Sequence, residues 1–321
     1  MPLAKQHSVL VTGAGGFIGA NLVRHLLKKG CTVHAVTFSQ LPSWRLSDCS
    51  GDITIHRLDL RDAERVAALV KKVKPSFVYH LATHGGYHKQ QDGRRIVHTN
   101  IMGSFNLFDA LKTCRTLKRI VNAGSSSEYG SKSHPMKEQD VLEPTTAYGV
   151  AKAAQTLLAQ YLAREEALPL VTLRFFSVYG PFEEPGRLIA DVMCAVVRKR
   201  KLQLSSPDPK RDFVFVDDVV EALEKTMTLP GIEGEIFNIG SGKEHTVLDA
   251  VTLAMEEAGA KTDIQWGIKR KQRLYGSVRW VADIGKAKRT LQWKPRHSLA
   301  DGLRKTYEWF RENIQLYEKA E

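Results

Sequence analysis

The sequence predicts an α/β protein: a doubly wound parallel sheet followed by a smaller C-terminal α/β domain. Three observations carry this. Strand-like and helix-like segments alternate through the first half of the chain, which is the pattern of βαβ units. The glycines Gly13, Gly16 and Gly19 fall between the first strand signal and the first helix signal. After about Ser177 the alternation gives way to short strands, helices and basic loops. A chain of 321 residues suits two domains, expected at 1–176 (with segments near 211–240 packing back on it) and 177–321.

The elements follow in order. Ser8 to Val11 is a short apolar run that ends in glycines. Phe17 to Lys29 has helical periodicity and stops at Gly30. Thr32 to Val36 reads as a strand, and Ile53 to Leu58 alternates as one. Asp62 is placed to cap a helix carrying Val66, Leu69, Val70 and Val73. Phe77 to Tyr79 and Ile120-Val121 are buried strands, and a long helix spans about Ala147 to Ala167 before Pro169. Val171 to Phe175 is the next strand; Leu202 to Leu204, Asp212 to Val216 and Ile236 to Ile239 are shorter ones.

Composition narrows the function classes. Hydrophobic residues make up 43% and charged residues 26%, ordinary for a globular chain. No apolar run reaches the ~18 residues of a membrane span, and Met1 to His7 shows no leader pattern, so a cytoplasmic protein without a membrane partner is expected. Cys31, Cys49, Cys114 and Cys194 are far apart, which speaks against a disulfide framework or a metal set. The net charge of +12 favours an acidic partner, either nucleic acid or a phosphorylated small molecule. The densest basic run, Arg198 to Lys201, ends a helical pattern, where cations suit the dipole. No aromatic residues interleave with it for base stacking, so nucleic acid is not the expected partner.

Gly13, Gly16 and Gly19 form a GxxGxxG loop that opens a helix. One glycine permits the tight turn, one lets the backbone approach a pyrophosphate, and one lets helix and strand pack closely. The free N–H groups of the helix start then hold the anion. The second strand ends at Thr37, where an NAD site usually carries a carboxylate for the ribose hydroxyls. Arg45 is nearby and could pair with a 2′-phosphate, so the expected cofactor is NADP, with NAD as the alternative.

Tyr148 and Lys152 stand four apart near a helix start, on one face. An ammonium beside a phenol favours the phenolate, which lets the tyrosine exchange a proton near neutral pH. Ser125 closes a serine-rich strand end, where a hydroxyl faces the ligand crevice of a parallel sheet.

These pieces together resemble the extended short-chain dehydrogenases/reductases of the nucleotide-sugar epimerase, dehydratase and reductase group, over nearly the whole chain. The matching strings are Gly13, Gly16 and Gly19; Asp59-Leu60; His80-Leu81-Ala82; Ser125; Tyr148 and Lys152; Leu173-Arg174-Phe175 with Val178-Tyr179-Gly180-Pro181; Arg211-Asp212-Phe213-Val214 with Val216-Asp217-Asp218-Val219; and Trp293-Lys294-Pro295. The resemblance implies a Rossmann cofactor domain, a C-terminal domain for a nucleoside diphosphate sugar, and Ser125, Tyr148 and Lys152 as the catalytic set. It implies cofactor contacts from Phe17, Ile18, Asp59, Leu60, Leu81, Ala82, Phe175 and Val178. It implies substrate contacts from Arg211 and Arg273, with Arg187, His84, Tyr87 and Ser126 as further candidates. A homodimer is expected by analogy, through the helices around residues 93–113 and 147–167. Gln292 stands where glycine is common in the group, and Ser177 where asparagine is.

Three reactions share such a scaffold: 4,6-dehydration, 4-epimerisation and 4-keto reduction. Dehydration needs a carboxylate just after the serine, but those slots hold Ser126 and Ser127. Glu128 is displaced by one, which on a strand turns it to the opposite side. The string Gly124 to Gly130 looks more like the 4-ketoreductases, and Thr37 suits NADPH. The expected reaction is reduction of a nucleotide-linked 4-keto sugar, with 4-epimerisation by bound NAD as the alternative. A non-catalytic dinucleotide-binding regulator is opposed by the joint presence of Ser125, Tyr148 and Lys152. A metal read from His80, His84 and His88 is opposed by Gly85-Gly86 and the lack of a completing carboxylate.

Overall fold

The computed structural model describes residues 7–38, 44–87, 90–260, 262–267 and 279–318. In chain order the elements are β1 (Ser8–Thr12), α1 (Phe17–Lys28), β2 (Thr32–Thr37), β3 (Thr54–Arg57), α2 (Ala63–Val73), β4 (Phe77–His80), α3 (Gly93–Val97), α4 (Gly103–Lys112), β5 (Arg119–Ser125), α5 (Ala147–Glu165) and β6 (Leu170–Phe175). There follow β7 (Ser177–Tyr179), α6 (Leu188–Arg198), β8 (Leu202–Gln203), β9 (Lys210–Arg211), β10 (Phe213–Phe215), α7 (Val216–Thr228), β11 (Ile236–Ile239), β12 (His245–Thr246), α8 (Val247–Glu257), β13 (Ile264–Gln265), α9 (Gly285–Thr290) and α10 (Leu299–Asn313).

The seven-stranded sheet runs β11-β6-β5-β4-β1-β2-β3. β1 pairs in parallel with β2 on one side and β4 on the other, so the strand order reverses there. Ligands of such sheets bind outside the carboxyl ends of the strands at that reversal. The expected doubly wound fold is thus what the chain forms. Asp62 caps α2 as expected, accepting from the Arg65 N–H. Leu10, Val36, Val66, Val70, Val78, Leu107, Phe108 and Ile120 form one buried cluster between the sheet and the helices on that face. Burying each such side chain contributes on the order of 2 kcal/mol, the main stabilisation of this layer.

The chain divides into two compact units. The first takes Met1–Gly130, Val141–Phe175 and Val220–Phe237; the second takes Ser131–Asp140, Phe176–Val219 and Asn238–Glu321. No sequence signal marked Ser131–Asp140 as part of the second unit. Backbone bonds place it there: Met136 N–H donates to Val281 O at 2.8 Å, and Asp283 N–H donates to Met136 O at 2.8 Å.

Within the second unit the late motifs join through carboxylates. Buried Asp212 accepts from the N–H groups of Ser241 (2.5 Å), Gly242 (3.0 Å) and Ala282 (3.0 Å), and from Ser241 Oγ (2.7 Å). Asp218 accepts from the N–H groups of Arg296 (3.0 Å) and His297 (3.2 Å), and its carbonyl from the Trp293 indole (2.9 Å). The tryptophan-proline string is therefore a structural clasp on the start of α7.

Gln292, just before that tryptophan, has φ +49°. Left-handed backbone costs a side-chain-bearing residue roughly 1–2 kcal/mol, which explains why glycine suits this position. Gln292→Gly should raise the urea midpoint by the equivalent of about 1 kcal/mol or less at unchanged m-value. A lowered midpoint would mean that the glutamine side chain contributes more than the strain costs.

Candidate active site

The glycine loop is built for close approach. Gly13 has φ +68°, and a Cβ there would lie 2.7 Å from the Ala82 nitrogen and the Leu81 carbonyl carbon. Only glycine lets the loop after β1 meet the loop after β4. A Cβ on Gly19 would strike the Gly13 carbonyl oxygen. Gly16 is the N-cap of α1, with no side-chain cap and no acid in the first turn. The first N–H groups of α1, from Phe17, Ile18 and Gly19, start a positive helix end. This cradle fits the pyrophosphate of a dinucleotide.

His80 locks the strands beneath the loop. Its ring is fully buried, with Nδ1 2.8 Å from Thr12 Oγ1 and Nε2 2.8 Å from Ser104 Oγ. The Ser104 hydroxyl donates to Asn100 O at 2.6 Å, so its oxygen must accept from Nε2–H. Nδ1 then accepts from Thr12, and the imidazole is neutral. Burial, with the Lys152 charge adding, pushes its pKa down to about 3. His80 is thus a structural group and no metal ligand. Among the described residues no cluster of three or more metal-binding side chains occurs, and His88 lies outside them.

Asn100 is a residue that the sequence reading missed. It lies in a π-helical stretch, His98–Met102, leading into α4. Its amide clamps His84 from both sides: His84 N–H donates to Oδ1 at 2.8 Å, and Nδ2 donates to His84 O at 2.8 Å. The segment from His84 through Gly85-Gly86 to Tyr87 is thereby fixed as a wall. A Cβ on Gly85 would sit 3.4 Å from Tyr148 Cδ2, and one on Gly86 4.0 Å from Cε2. At Gly85 (φ +89°) the tighter approach is to Ile96 Cγ1, 2.7 Å from that Cβ, so this glycine serves the turn and its packing on α3. A wide turn inside a helix leaves no periodic mark, so only the polar run His98-Thr99-Asn100 hinted at it.

Tyr148 and Lys152 lie on the first turns of α5, capped by Thr146, whose hydroxyl accepts from Gly149 N–H at 3.0 Å. A Cβ on Gly149 would lie 2.5 Å from Ser127 O, so glycine lets the chain after β5 rest against this helix start. Lys152 is 1% exposed and donates to Ala123 O (2.8 Å) and Gln155 Oε1 (2.9 Å). Burial pulls its pKa down to about 8, against the pull of Glu128, which favours the ammonium.

Ser125 ends β5, and Ser126–Glu128 form a 3-10 turn rather than the strand continuation expected. Strand alternation therefore does not decide where Glu128 points; the turn does. Glu128 is fully buried, and its Oε1 accepts from Ser125 N–H (2.7 Å) and Thr156 Oγ1 (3.1 Å). Oε2 accepts from Arg174 Nε at 2.7 Å, while Arg174 Nη1 donates to Tyr129 Oη at 2.8 Å. Burial pushes the Glu128 carboxyl above its usual range, and Arg174 opposes that. Ser126 is buried in the same turn.

Thr37 ends β2, buried, and Leu60 is buried against Gly103 of α4. Asp59 is gripped by Arg61, with Nε 2.9 Å and Nη2 2.6 Å from Oδ2, which holds its carboxyl below the usual range. Arg45 is only 6% exposed, and its guanidinium carbon lies 4.3 Å from the Trp44 ring centroid. Its guanidinium is stacked on Trp44 and largely covered. Phe175 ends β6 in the first unit, and Val178 lies in β7 of the second. In the second unit Arg187 is the N-cap of α6, 3.6 Å from Glu183, and Arg211 donates to Lys210 O at 2.7 Å with its guanidinium 5.9 Å from the Trp280 ring. Arg273 lies outside the described residues.

Glu128→Ala would leave Arg174 buried without its counter-charge. A loss of about 3–5 kcal/mol in urea unfolding is expected. Glu128→Leu combined with Arg174→Met should recover most of that loss. Equal losses in the single and double variants would mean that the ion pair is not what the turn depends on.

Comparison with known proteins follows the same lines. Residues 9–240 match the NAD dependent epimerase/dehydratase family. The chain is 29% identical to a UDP-glucuronate 4-epimerase from Thermodesulfobacterium geofontis, covering 96% of this chain and 97% of that protein. It is 27% identical to a dTDP-glucose 4,6-dehydratase from Salmonella typhimurium, covering 96% and 93%. Among solved structures, the Thermotoga maritima UDP-glucose 4-epimerase with UDP-glucose is 29% identical with a TM-score of 0.85, covering 95% of this chain and 99% of that one. The Bacillus cereus UDP-glucuronic acid 4-epimerase, in complex with UDP-glucuronic acid and NAD, is 27% identical with a TM-score of 0.83 over 95% and 99%. The chain belongs to the NAD-dependent epimerase/dehydratase family, the extended short-chain dehydrogenase/reductase group.

Proposed function

We propose that the protein inverts C4 of a nucleoside diphosphate hexose, as a nucleotide-sugar 4-epimerase. The observation that carries this reading is the buried Lys152 ammonium, one helical turn from Tyr148, which donates to Ala123 O of β5 two residues before Ser125. The 4-epimerases among the relatives, aligned over nearly the whole chain, support epimerisation ahead of the reduction expected from the sequence. The cradle of Gly13, Gly16 and Gly19 at the start of α1 would hold a nicotinamide dinucleotide, which would supply hydride acceptance and return at C4.

The chain's own groups do the proton work. Tyr148 takes the proton of the C4 hydroxyl and gives it back to the keto oxygen. Lys152 lowers the cost of the phenolate, as an adjacent cation does. Ser125 holds the reacting oxygen, and the Glu128 bond to its N–H keeps the strand end in place. Arg187 and Arg211 are the second unit's candidates for the diphosphate, a pairing that suits guanidinium geometry. Dehydration is disfavoured because Glu128 is turned into the core and held there by three donors, and Ser126 and Ser127 hold the neighbouring slots.

A second reading, net reduction of a 4-keto sugar by NADPH, is favoured by one observation: β2 ends at Thr37 without a carboxylate. A homodimer is supported by an exposed apolar stripe of Val97, Met102 and Phe105 with Val150, Leu157 and Tyr161 on α5. No helix among the described residues is long and apolar enough to cross a membrane.

Incubation with UDP-glucose, UDP-glucuronate and dTDP-glucose, followed by analysis of C4 stereochemistry, tests the epimerase. If none is inverted while a 4-keto sugar nucleotide consumes NADPH, the second reading replaces it. Tyr148→Phe should lose about 10²–10⁴ in rate while binding cofactor normally. Because Lys152 is protonated below about 8 and deprotonated above it, kcat/KM should fall as pH rises through about 8. A flat profile from pH 7 to 9.5 would remove Lys152 from the proton chemistry.

A further inference from the structure

Cofactors with and without a 2′-phosphate differ at one place: the ribose nearest the end of the second strand. Here β2 ends at buried Thr37 and then exposes Phe38, which is 60% accessible. The Arg95 guanidinium carbon lies 5.2 Å from the Phe38 ring centroid. Arg95 belongs to α3, whose N-cap Asp92 accepts from the Arg95 N–H at 3.2 Å. The Asp92 carboxylate is thus engaged in capping. Asp59, at the end of β3, is held below the usual carboxylate range first by Arg61 and also by the charge of Arg95. The pKa of His84, after β4, is lowered first by burial and also by the charge of Arg95. Arg95 thus sits among the ends of β2, β3 and β4, held over an aromatic face that restrains it without using its N–H donors.

Arg61 and Arg95 bring two cations, set against the carboxylates of Asp59, paired with Arg61, and of Asp92, engaged at the N-cap of α3. Thr37 adds no carboxylate to repel a phosphate or to accept from a 2′-hydroxyl. Arg45, the arginine that the sequence favours, is stacked on Trp44 inside the fold.

We infer that Arg95, seated on Phe38, binds the 2′-phosphate of NADP(H) and makes the protein prefer NADP(H) over NAD(H). This rests on the reading of the glycine loop as the cofactor site. A preference for NADP(H) would also weigh towards the reduction reading over inversion. A planar guanidinium with free forked donors is the side chain best matched to a phosphate monoester.

The test needs no sugar substrate. The protein is stripped of nucleotide, and NADPH and NADH are titrated by fluorescence, with 2′,5′-ADP and ADP as competitors. The wild type should bind NADPH and 2′,5′-ADP at least about tenfold tighter than NADH and ADP, the effect of one charge-assisted contact. Arg95→Gln, at an exposed position, should fold normally, lose about tenfold or more for NADPH, and leave NADH unchanged. Thr37→Asp should move the preference towards NADH. Tighter binding of NADH by the wild type overturns the inference. So does an Arg95→Gln variant that weakens both cofactors equally, since Arg95 would then only stack on adenine, or one that weakens neither. Binding of neither dinucleotide by the wild type would remove the cofactor-site reading together with the inference.

Discussion

One carboxylate ties the candidate active site together. Glu128 receives the N–H of Ser125 from β5, the hydroxyl of Thr156 from α5 and the guanidinium of Arg174 from β6. A buried carboxylate is costly unless every lone pair is engaged, so the three elements are held to one arrangement. Gly124 makes this possible, because a Cβ there would come within 2.8 Å of Glu128 Oε1. The same negative charge steadies the ammonium of Lys152. Removing it would disturb strand, helix and proton chemistry at once.

Around that point, close backbone approaches set the geometry. Gly13 lets the loops after β1 and β4 touch, Gly149 lets the turn after Ser125 lean on α5, and Gly85 lets the loop after β4 pack on Ile96 of α3. Each of these glycines stands where two elements meet rather than within one. The chemistry therefore depends on missing side chains as much as on those present.

Much of this was legible in the sequence, and the reason is periodicity. Repeating patterns of 2 and 3.6 residues mark strands and helices, so β1 to β6, the cap at Asp62 and the helix carrying Tyr148 and Lys152 could be read directly. Turn geometry has no such period. The 3-10 turn at Ser126–Glu128, and not strand alternation, decides where Glu128 points. Long-range neighbours were equally hidden. Arg45 follows β2 in sequence yet folds under Trp44, whereas Arg95, more than fifty residues after Phe38, lies over it. The clasp between Trp293 and Asp218 joins two strings 75 positions apart, which sequence similarity marked without saying why.

The buried histidine has a wider consequence. From Thr12 the donors run in one direction: the threonine hydroxyl to His80 Nδ1, Nε2–H to Ser104 and the Ser104 hydroxyl to the Asn100 carbonyl. The Asn100 amide then grips His84. Such a chain has polarity, and no single member can reverse without breaking its neighbour's bond. Because His80 stays neutral down to about 3, mild acid does not reverse it either. The strand beneath the glycine loop and the wall beside Tyr148 are therefore wired as one rigid part.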